Sequence, residues 1–550
     1  PTGRGSMHKV EGHTTSRWSP PHAVPPEDEL RLAAFILNEA KRPVILVGQG
    51  ALGAGDEVIE IADKLGAPIV KALLGKAVVP DDHPLTTGGL GLLGTTPSQE
   101  AMEQADALLI IGSSFPYMEY LPKPGQAKGV QIDDKPDRIG LRFPVEVGLV
   151  GDARPTLIAL SRFVERKEDR GFLEQAQAGM KDWWELMRTR AMKDDIPIKP
   201  QRVAWELSEL AADDAIISTD SGTITTWIAR QFKIRKNQKF SCSGTLATMA
   251  PGLPYAIAAK VAFPERQSIA FVGDGGFTML MMEFLTAVKY NLPIVVVIIK
   301  NNTLGQIKWE QIVFLGNPEY GCELHNPDFA KYAEACGGLG FTVERPEEIR
   351  PALERALSSG RPSIVEVVVD PFEPPMPPKV SVEQALHFAE ALAKGQPAGG
   401  KIALTLFRDG NLALQAKHVF LLAADQACEL SALSLRRCPR VVRLLATTLG
   451  HANALVGAGN LRTQCRDALL ELRELLAPRL HVAGDERQLQ RESTGRQLGV
   501  ALRAFALPGE GANLALHLVD EIIEAREIER ITPGERTQML HACRHARPSI

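Results

Sequence analysis

The chain has 550 residues, 45% hydrophobic and 23% charged, which is enough apolar material for three or four ordinary globular domains. A net charge of −4, with no Lys/Arg stripe interleaved with aromatics, argues against a nucleic-acid binder. The longest apolar runs, such as 292–299, are too short to span a bilayer, so membrane association has no support. Seven scattered cysteines with no CxxC pair argue against a disulfide framework or a structural zinc site and fit a reducing, cytoplasmic setting.

In chain order, the polar Pro/Gly/Ser/Thr-rich segment 1–28 reads as a linker. A helix over 29–39 leads into an apolar run at 43–47 that ends in glycine, the pattern of a buried parallel strand. Then follow a helix (56–65), a strand (67–71), a Gly-rich loop (88–94), a helix (98–104), strands at 107–111 and 129–132, and a closing helix (154–165). These make a first α/β domain over 29–165. The charged stretch 166–200 predicts a helical linker. A second α/β domain, 201–372, is predicted from helices at 201–212, 254–261, 279–290 and 327–336 and strands at 215–218, 268–272, 294–300 and 363–369. The expected fold class is therefore α/β, with two doubly wound parallel sheets. A Pro-rich arm, 373–408, follows.

Composition changes near residue 408. Residues 1–408 hold 23 Lys and 21 Arg, whereas 409–550 hold one Lys and 17 Arg, with no Trp or Tyr. Helical spacing at 465–480 and 514–530 predicts a helical region. The Arg-rich, Lys-poor, Cys- and His-rich text is equally what out-of-frame translation of a GC-rich gene gives. Both readings of 409–550 stand.

The most informative stretch runs from 269 to 305. An apolar strand ends in Gly273-Asp274-Gly275-Gly276, next to a helix start. Glycines let backbone approach a bulky anion, and amides at a helix start favour negative charge. A second strand ends in Asn301, so two adjacent parallel strands would put Asp274 and Asn301 on one sheet edge. A carboxylate, an amide oxygen, phosphate oxygens and water suit octahedral Mg²⁺, so the pattern reads as a magnesium-diphosphate site.

With Asn301 27 residues after Asp274, this pattern resembles the thiamine diphosphate signature. The stretches 220–227 (DSGTITTW), 246–255 (LATMAPGLPY), 264–267 (PERQ) and 325–330 (HNPDFA) are similar to the pyruvate oxidase and pyruvate:quinone dehydrogenase branch of that family. So are 74–76 (LGK), 91–95 (GLLGT), 114–117 (SFPY) and 131–133 (QID). The resemblance implies Asp274, Asn301 and the Thr303 carbonyl as magnesium ligands. It places Gly273, Gly275, Gly276 and Phe277 at the diphosphate and Asp220, Ser221 and Gly222 on a loop bordering diphosphate or substrate. Met249 would be the apolar wedge between the cofactor's rings; read from residues alone, a methionine there is core filler. The implied activity is decarboxylation and oxidation of a small 2-oxo acid such as pyruvate, with acetolactate synthase-like carboligation or a non-catalytic cofactor-binding subunit as alternatives.

Residues 48–53 fit GxGxxG, but the next strand ends in Ile69-Val70-Lys71 without the acidic residue a nicotinamide dinucleotide site uses. For FAD, the resemblance points to Gly75, Lys76, Ser114, Phe115 and Asp133, with Ser113 beside them. Leu74, however, stands where the quinone-linked enzymes carry arginine. FAD binding and a domain kept for assembly are both open. In the resembled enzymes a further domain precedes the central one and supplies a catalytic glutamate to the aminopyrimidine. No counterpart is visible here, so no catalytic residue is assigned. The expectation is a chain shortened at its N-terminus, working as a homo-oligomer or with a chain that supplies that domain.

Overall fold

A computed structural model describes residues 22–244, 246–375, 382–399 and 402. The expected linker therefore lies mostly outside the described residues, the C-terminal arm partly so, and 409–550 wholly so. Compactness gathers both sheets into one unit, formed by the chain up to Asn302 together with His325–Asp370. A second unit takes Thr303–Leu324 and the described residues from Pro371 on.

The first sheet has six strands: β1 (Pro43–Val47), β2 (Ile69–Lys71), β3 (Thr86–Gly89), β4 (Ala107–Ile111), β5 (Lys128–Asp133) and β6 (Val147–Val150). Their order is β3-β2-β1-β4-β5-β6, and every pairing is parallel. That is the doubly wound order in which the chain reverses direction between β1 and β4. The central strands β1 and β4 are apolar and buried throughout because helices cover both faces.

The second sheet is built from β7 (Ile216–Thr219), β8 (Lys239–Cys242), β9 (Ser268–Gly273), β10 (Ile294–Lys300), β11 (Leu339–Val343) and β12 (Ser363–Val368). Its order is β11-β12-β10-β9-β7-β8, again all parallel. The winding reverses between β7 and β9, so a crevice is expected beyond their carboxyl ends. Ile269, Phe271, Val295 and Val297 point into one core layer, and Ala270, Val272, Val296 and Ile298 into the other, as strict alternation requires.

Two expectations are refined. The segment 88–94, read as a loop, begins with β3, and the single helix expected over 279–290 is two, Asp274–Leu280 and Glu283–Lys289. The charged stretch 166–200 does form a helix, Gly171–Ala191, which buries Leu173, Met180, Trp183 and Met187.

A buried ion cluster ties the first sheet to the second. Asp81 lies between the ammonium groups of Lys71 and Lys76 (2.8 Å to the latter), all three nearly fully buried. Asp81 also exchanges backbone and side-chain hydrogen bonds with Ile234, just past helix Thr223–Gln231. Burial alone would raise the Asp81 carboxyl, but Lys71 and Lys76 outweigh it and hold it below its usual range.

Candidate active site

Three segments leave the carboxyl ends of neighbouring strands β7, β9 and β10. The first carries Asp220, Ser221 and Gly222, the second begins at Asp274, and the third at Asn301. The sequence thus converges on one edge of the second sheet at its switch point.

Asp274 is buried at 2% exposure. Its Oδ1 accepts the Gly275 N–H at 2.8 Å, and its Oδ2 accepts the Asn302 N–H at 2.6 Å and the Asn326 Nδ2 at 2.9 Å. The same Asn326 nitrogen donates to Asn302 Oδ1 at 3.0 Å, which steadies Asn302 in a left-handed conformation (φ 54°). Burial raises the Asp274 carboxyl to about 6, against the opposing effect of backbone N–H groups. A carboxylate held at that cost and orientation is suited to a cation, whose charge would reverse the shift. Lys300, next to Asn301, is drawn off by Glu366 (Nζ to Oε1 2.6 Å).

Among the described residues, no group of three His, Cys, Asp or Glu could hold a metal unaided. Mg²⁺ takes one or two protein carboxylates and completes its shell from water and substrate phosphates. The donor set of Asp274 with Asn301 is of this hard-oxygen kind. Thr303 opens the second compact unit, where it forms an isolated antiparallel bridge with Glu323.

The glycines divide by role. A Cβ on Gly273 would meet open space, as would one on Gly222, whose φ of 127° suits only glycine. A Cβ on Gly276 would collide with Asp220 Oδ2. Gly222 caps helix Thr223–Gln231, so that helix start faces the same edge. Phe277, expected at the diphosphate, sends its ring into the core, edge to face on Phe329 at 5.3 Å, and leaves only backbone at the edge.

Asp220 is 1% exposed, and burial raises its carboxyl to about 6. Its Oδ1 accepts the Gly252 N–H at 2.8 Å, while its Oδ2 finds no hydrogen-bond partner among the described residues. Met249 is half-buried in a turn where Ala247 and Ala250 both have positive φ (51° and 73°).

The first sheet's glycine loop looks different. Gly48, Gly50 and Gly112 pack backbone to backbone, and the Gly48 and Gly50 amides donate to Ile111 and Gly112 carbonyls. Gly75 abuts Val47 and Gly48, and the Lys76 ammonium is committed to Asp81 and to the Ala229 carbonyl at 3.0 Å. Phe115 is buried against Tyr117, Ser114 is half-buried, and Asp133 accepts the Lys135 N–H at 3.1 Å. Leu74 packs with the second sheet's core cluster and against Gly244.

Asn326 escaped the sequence reading as a site residue. It lies in HNPDFA, where Asp328 caps helix Phe329–Ala335, and nothing in its spacing links it to Asp274 52 residues earlier.

Two family descriptions match the chain: "Thiamine pyrophosphate enzyme, central domain" over residues 30–160 and "Thiamine pyrophosphate enzyme, C-terminal TPP binding domain" over 220–367. The chain is 48% identical over 370 residues to a putative thiamine pyrophosphate-containing protein, YdaP, of Bacillus subtilis, covering 67% of this chain and 64% of that one. It is 35% identical to a probable acetolactate synthase large subunit of Methanocaldococcus jannaschii (64% and 61% covered) and 30% identical to pyruvate oxidase of Lactiplantibacillus plantarum (64% and 59%). The chain thus spans about three fifths of the length of these curated relatives. Among the described residues, no helix is long and apolar enough to cross a membrane.

Proposed function

Because the chain belongs to the thiamine pyrophosphate enzyme family through its central and C-terminal binding domains, we propose that the Asp274 edge binds thiamine diphosphate through Mg²⁺. The assembled protein would use it to decarboxylate a 2-oxo acid such as pyruvate, and where the product is oxidised a separate two-electron acceptor would take up the electrons. The observation that carries this reading is the convergence of Asp220, Asp274 and Asn301 at the carboxyl ends of adjacent strands flanking the switch point.

Asp274 and the Asn301 amide oxygen would hold the metal, to which the resemblance adds the Thr303 carbonyl. Gly273, Gly275 and Gly276 would admit the diphosphate to close backbone contact, and the start of helix Thr223–Gln231, with Ser221 and Gly222, would favour its charge. Met249 would present an apolar surface to the cofactor's rings. Bound there, thiamine diphosphate supplies a nucleophilic carbon and an electron sink for the departing carboxylate. The chain's own part is to fix the anion, neutralise it through the metal and keep the site dry.

Relatedness to an acetolactate synthase at 35% identity supports a second reading, in which the assembled protein joins two 2-oxo acids instead of oxidising one. A flavin, the other cofactor the resemblance admits, would sit at Ser114, Phe115 and Asp133. Lys76 does not fit a flavin phosphate, because Asp81 holds its ammonium. The proposed reaction is therefore given no flavin-dependent step.

Titration calorimetry tests the binding claim. The chain should bind thiamine diphosphate only with Mg²⁺, bind thiamine without phosphates far more weakly, and lose the Mg²⁺-dependent signal in Asp274→Ala. Equal affinity of Asp274→Ala and wild type would refute the site. Pyruvate turnover with an artificial electron acceptor, once a pyrimidine-binding domain is added, separates an enzyme from a cofactor-binding subunit.

A further inference from the structure

Asp220 poses a problem that a ligand-contacting role does not solve. It buries a carboxyl whose Oδ2 finds no hydrogen-bond partner among the described residues, an arrangement that costs free energy. Its Oδ1 takes the Gly252 N–H at 2.8 Å, and the Ala250 N–H also favours the charged carboxyl. The Gly252 carbonyl is held from the opposite side by Ser218 Oγ at 2.7 Å. Strand β7 therefore grips Gly252 by both its donor and its acceptor.

The held segment is strained. Ala247 and Ala250 sit in the left-handed region with φ of 51° and 73°, conformations an alanine keeps only when its surroundings enforce them. Among the described residues, the turn is bonded through Thr248 N–H to Ser243 Oγ at 3.1 Å, Thr248 Oγ1 to the Met249 carbonyl at 3.0 Å, and Ala247 N–H to the Gly244 carbonyl at 3.4 Å. Leu246 is 92% exposed and anchors nothing. The unpaired Oδ2 of Asp220 lies where a Cβ on Gly276 would be, so the same carboxyl also sets the spacing between this turn and Gly275-Gly276.

We infer that Asp220 is a positioning residue: it fastens the strained 247–252 turn to the end of β7 and so fixes Met249 relative to the glycines after Asp274. The ligand part of this inference rests on the proposed function; the fastening part does not.

The test uses the full chain with Asp220→Ala and Asp220→Asn. Asparagine keeps an oxygen for the Gly252 N–H, whereas alanine does not. In Asp220→Ala, amide hydrogen exchange over 247–252 should quicken by about tenfold while β9 and β10 stay protected, and affinity for thiamine diphosphate with Mg²⁺ should fall by roughly tenfold, the usual scale for losing an outer-shell support. Asp220→Asn should restore both. Unchanged exchange over 247–252 in Asp220→Ala, or Asp220→Asn as defective as Asp220→Ala, overturns the inference. A wild-type chain without affinity for thiamine diphosphate overturns the proposed function instead, and the exchange comparison still decides whether Asp220 fastens the turn.

Discussion

The two sheets share a plan and differ in what they do with it. Each has six parallel strands, a reversal of winding, and a glycine-bearing loop at the carboxyl end of a strand beside that reversal. In the first sheet, the protein fills its own crevice: Gly48 and Gly50 lie against Gly112, and their amides are spent on neighbouring carbonyls. In the second, Gly222 and Gly273 look onto open space, and two buried carboxyl groups, Asp220 and Asp274, converge there. The glycine pattern is thus the same signal with two physical causes, close packing of backbone in one sheet and room for a ligand in the other. The fold provides the crevice, and the residues at its edge decide whether it is a site.

Four substitutions sharpen that contrast. The largest effect is expected from Asp81→Ala, which leaves the ammonium groups of Lys71 and Lys76 buried without their anion. Breaking such a cluster costs about 3–5 kcal/mol, read as a shift in the urea midpoint. Retention of wild-type stability would mean the first sheet's polar core is not structural. Next is Gly48→Ala, whose Cβ would strike Gly112 and Ser113. It should destabilise by about 1–3 kcal/mol and leave thiamine diphosphate affinity unchanged. A specific loss of affinity would assign the first sheet a ligand after all.

Asp220→Asn tests the second sheet through pH. Burial raises Asp220 from 3.8 to about 6, so the folded ligand-free chain binds its proton more tightly than the unfolded chain does. The penalty for burying the charge is therefore absent below about pH 4 and fully present above about pH 6. The asparagine variant should be more stable than wild type by up to about 3 kcal/mol at pH 7–8, an advantage that fades as the pH falls through that window. An advantage that grows toward acid pH would show the sign to be wrong. The smallest effect is Asn326→Ala, which frees Asp274 and Asn302 from their shared donor. The Mg²⁺ concentration needed for thiamine diphosphate binding should rise by about tenfold.

The sequence was most legible where one physical cause dominated. Long apolar runs located β1, β4, β9 and β10, and the residues at the ends of β9 and β10 located Asp274 and Asn301. It was least legible where tertiary contacts override local preference. The stretch TITTWIARQ is poor in helix formers, yet Thr223–Gln231 is helical because Ile224, Trp227 and Ile228 are buried on one side. β3 is TTGG, weak by any strand preference. It forms beside β2, with Thr86 Oγ1 donating to the Ile69 carbonyl and Thr95 Oγ1 and Ser98 Oγ to the Thr87 carbonyl. Lys76 shows a further limit. Its spacing carries no sign of its partner, Asp81, five residues on, which the tertiary structure brings to its ammonium. Asn326 carried no signal at all, since its role depends on β9 and the segment before Phe329 meeting in space.

The central claim is that the ligand edge belongs to the second sheet. The most direct measurement is anomalous diffraction from crystals of the chain grown with thiamine diphosphate and Mn²⁺ in place of Mg²⁺. The account predicts a manganese peak within coordination distance of Asp274 and Asn301, with the diphosphate beside it. A peak at the Gly48–Gly112 edge of the first sheet, or bound diphosphate with no metal at Asp274, would contradict it.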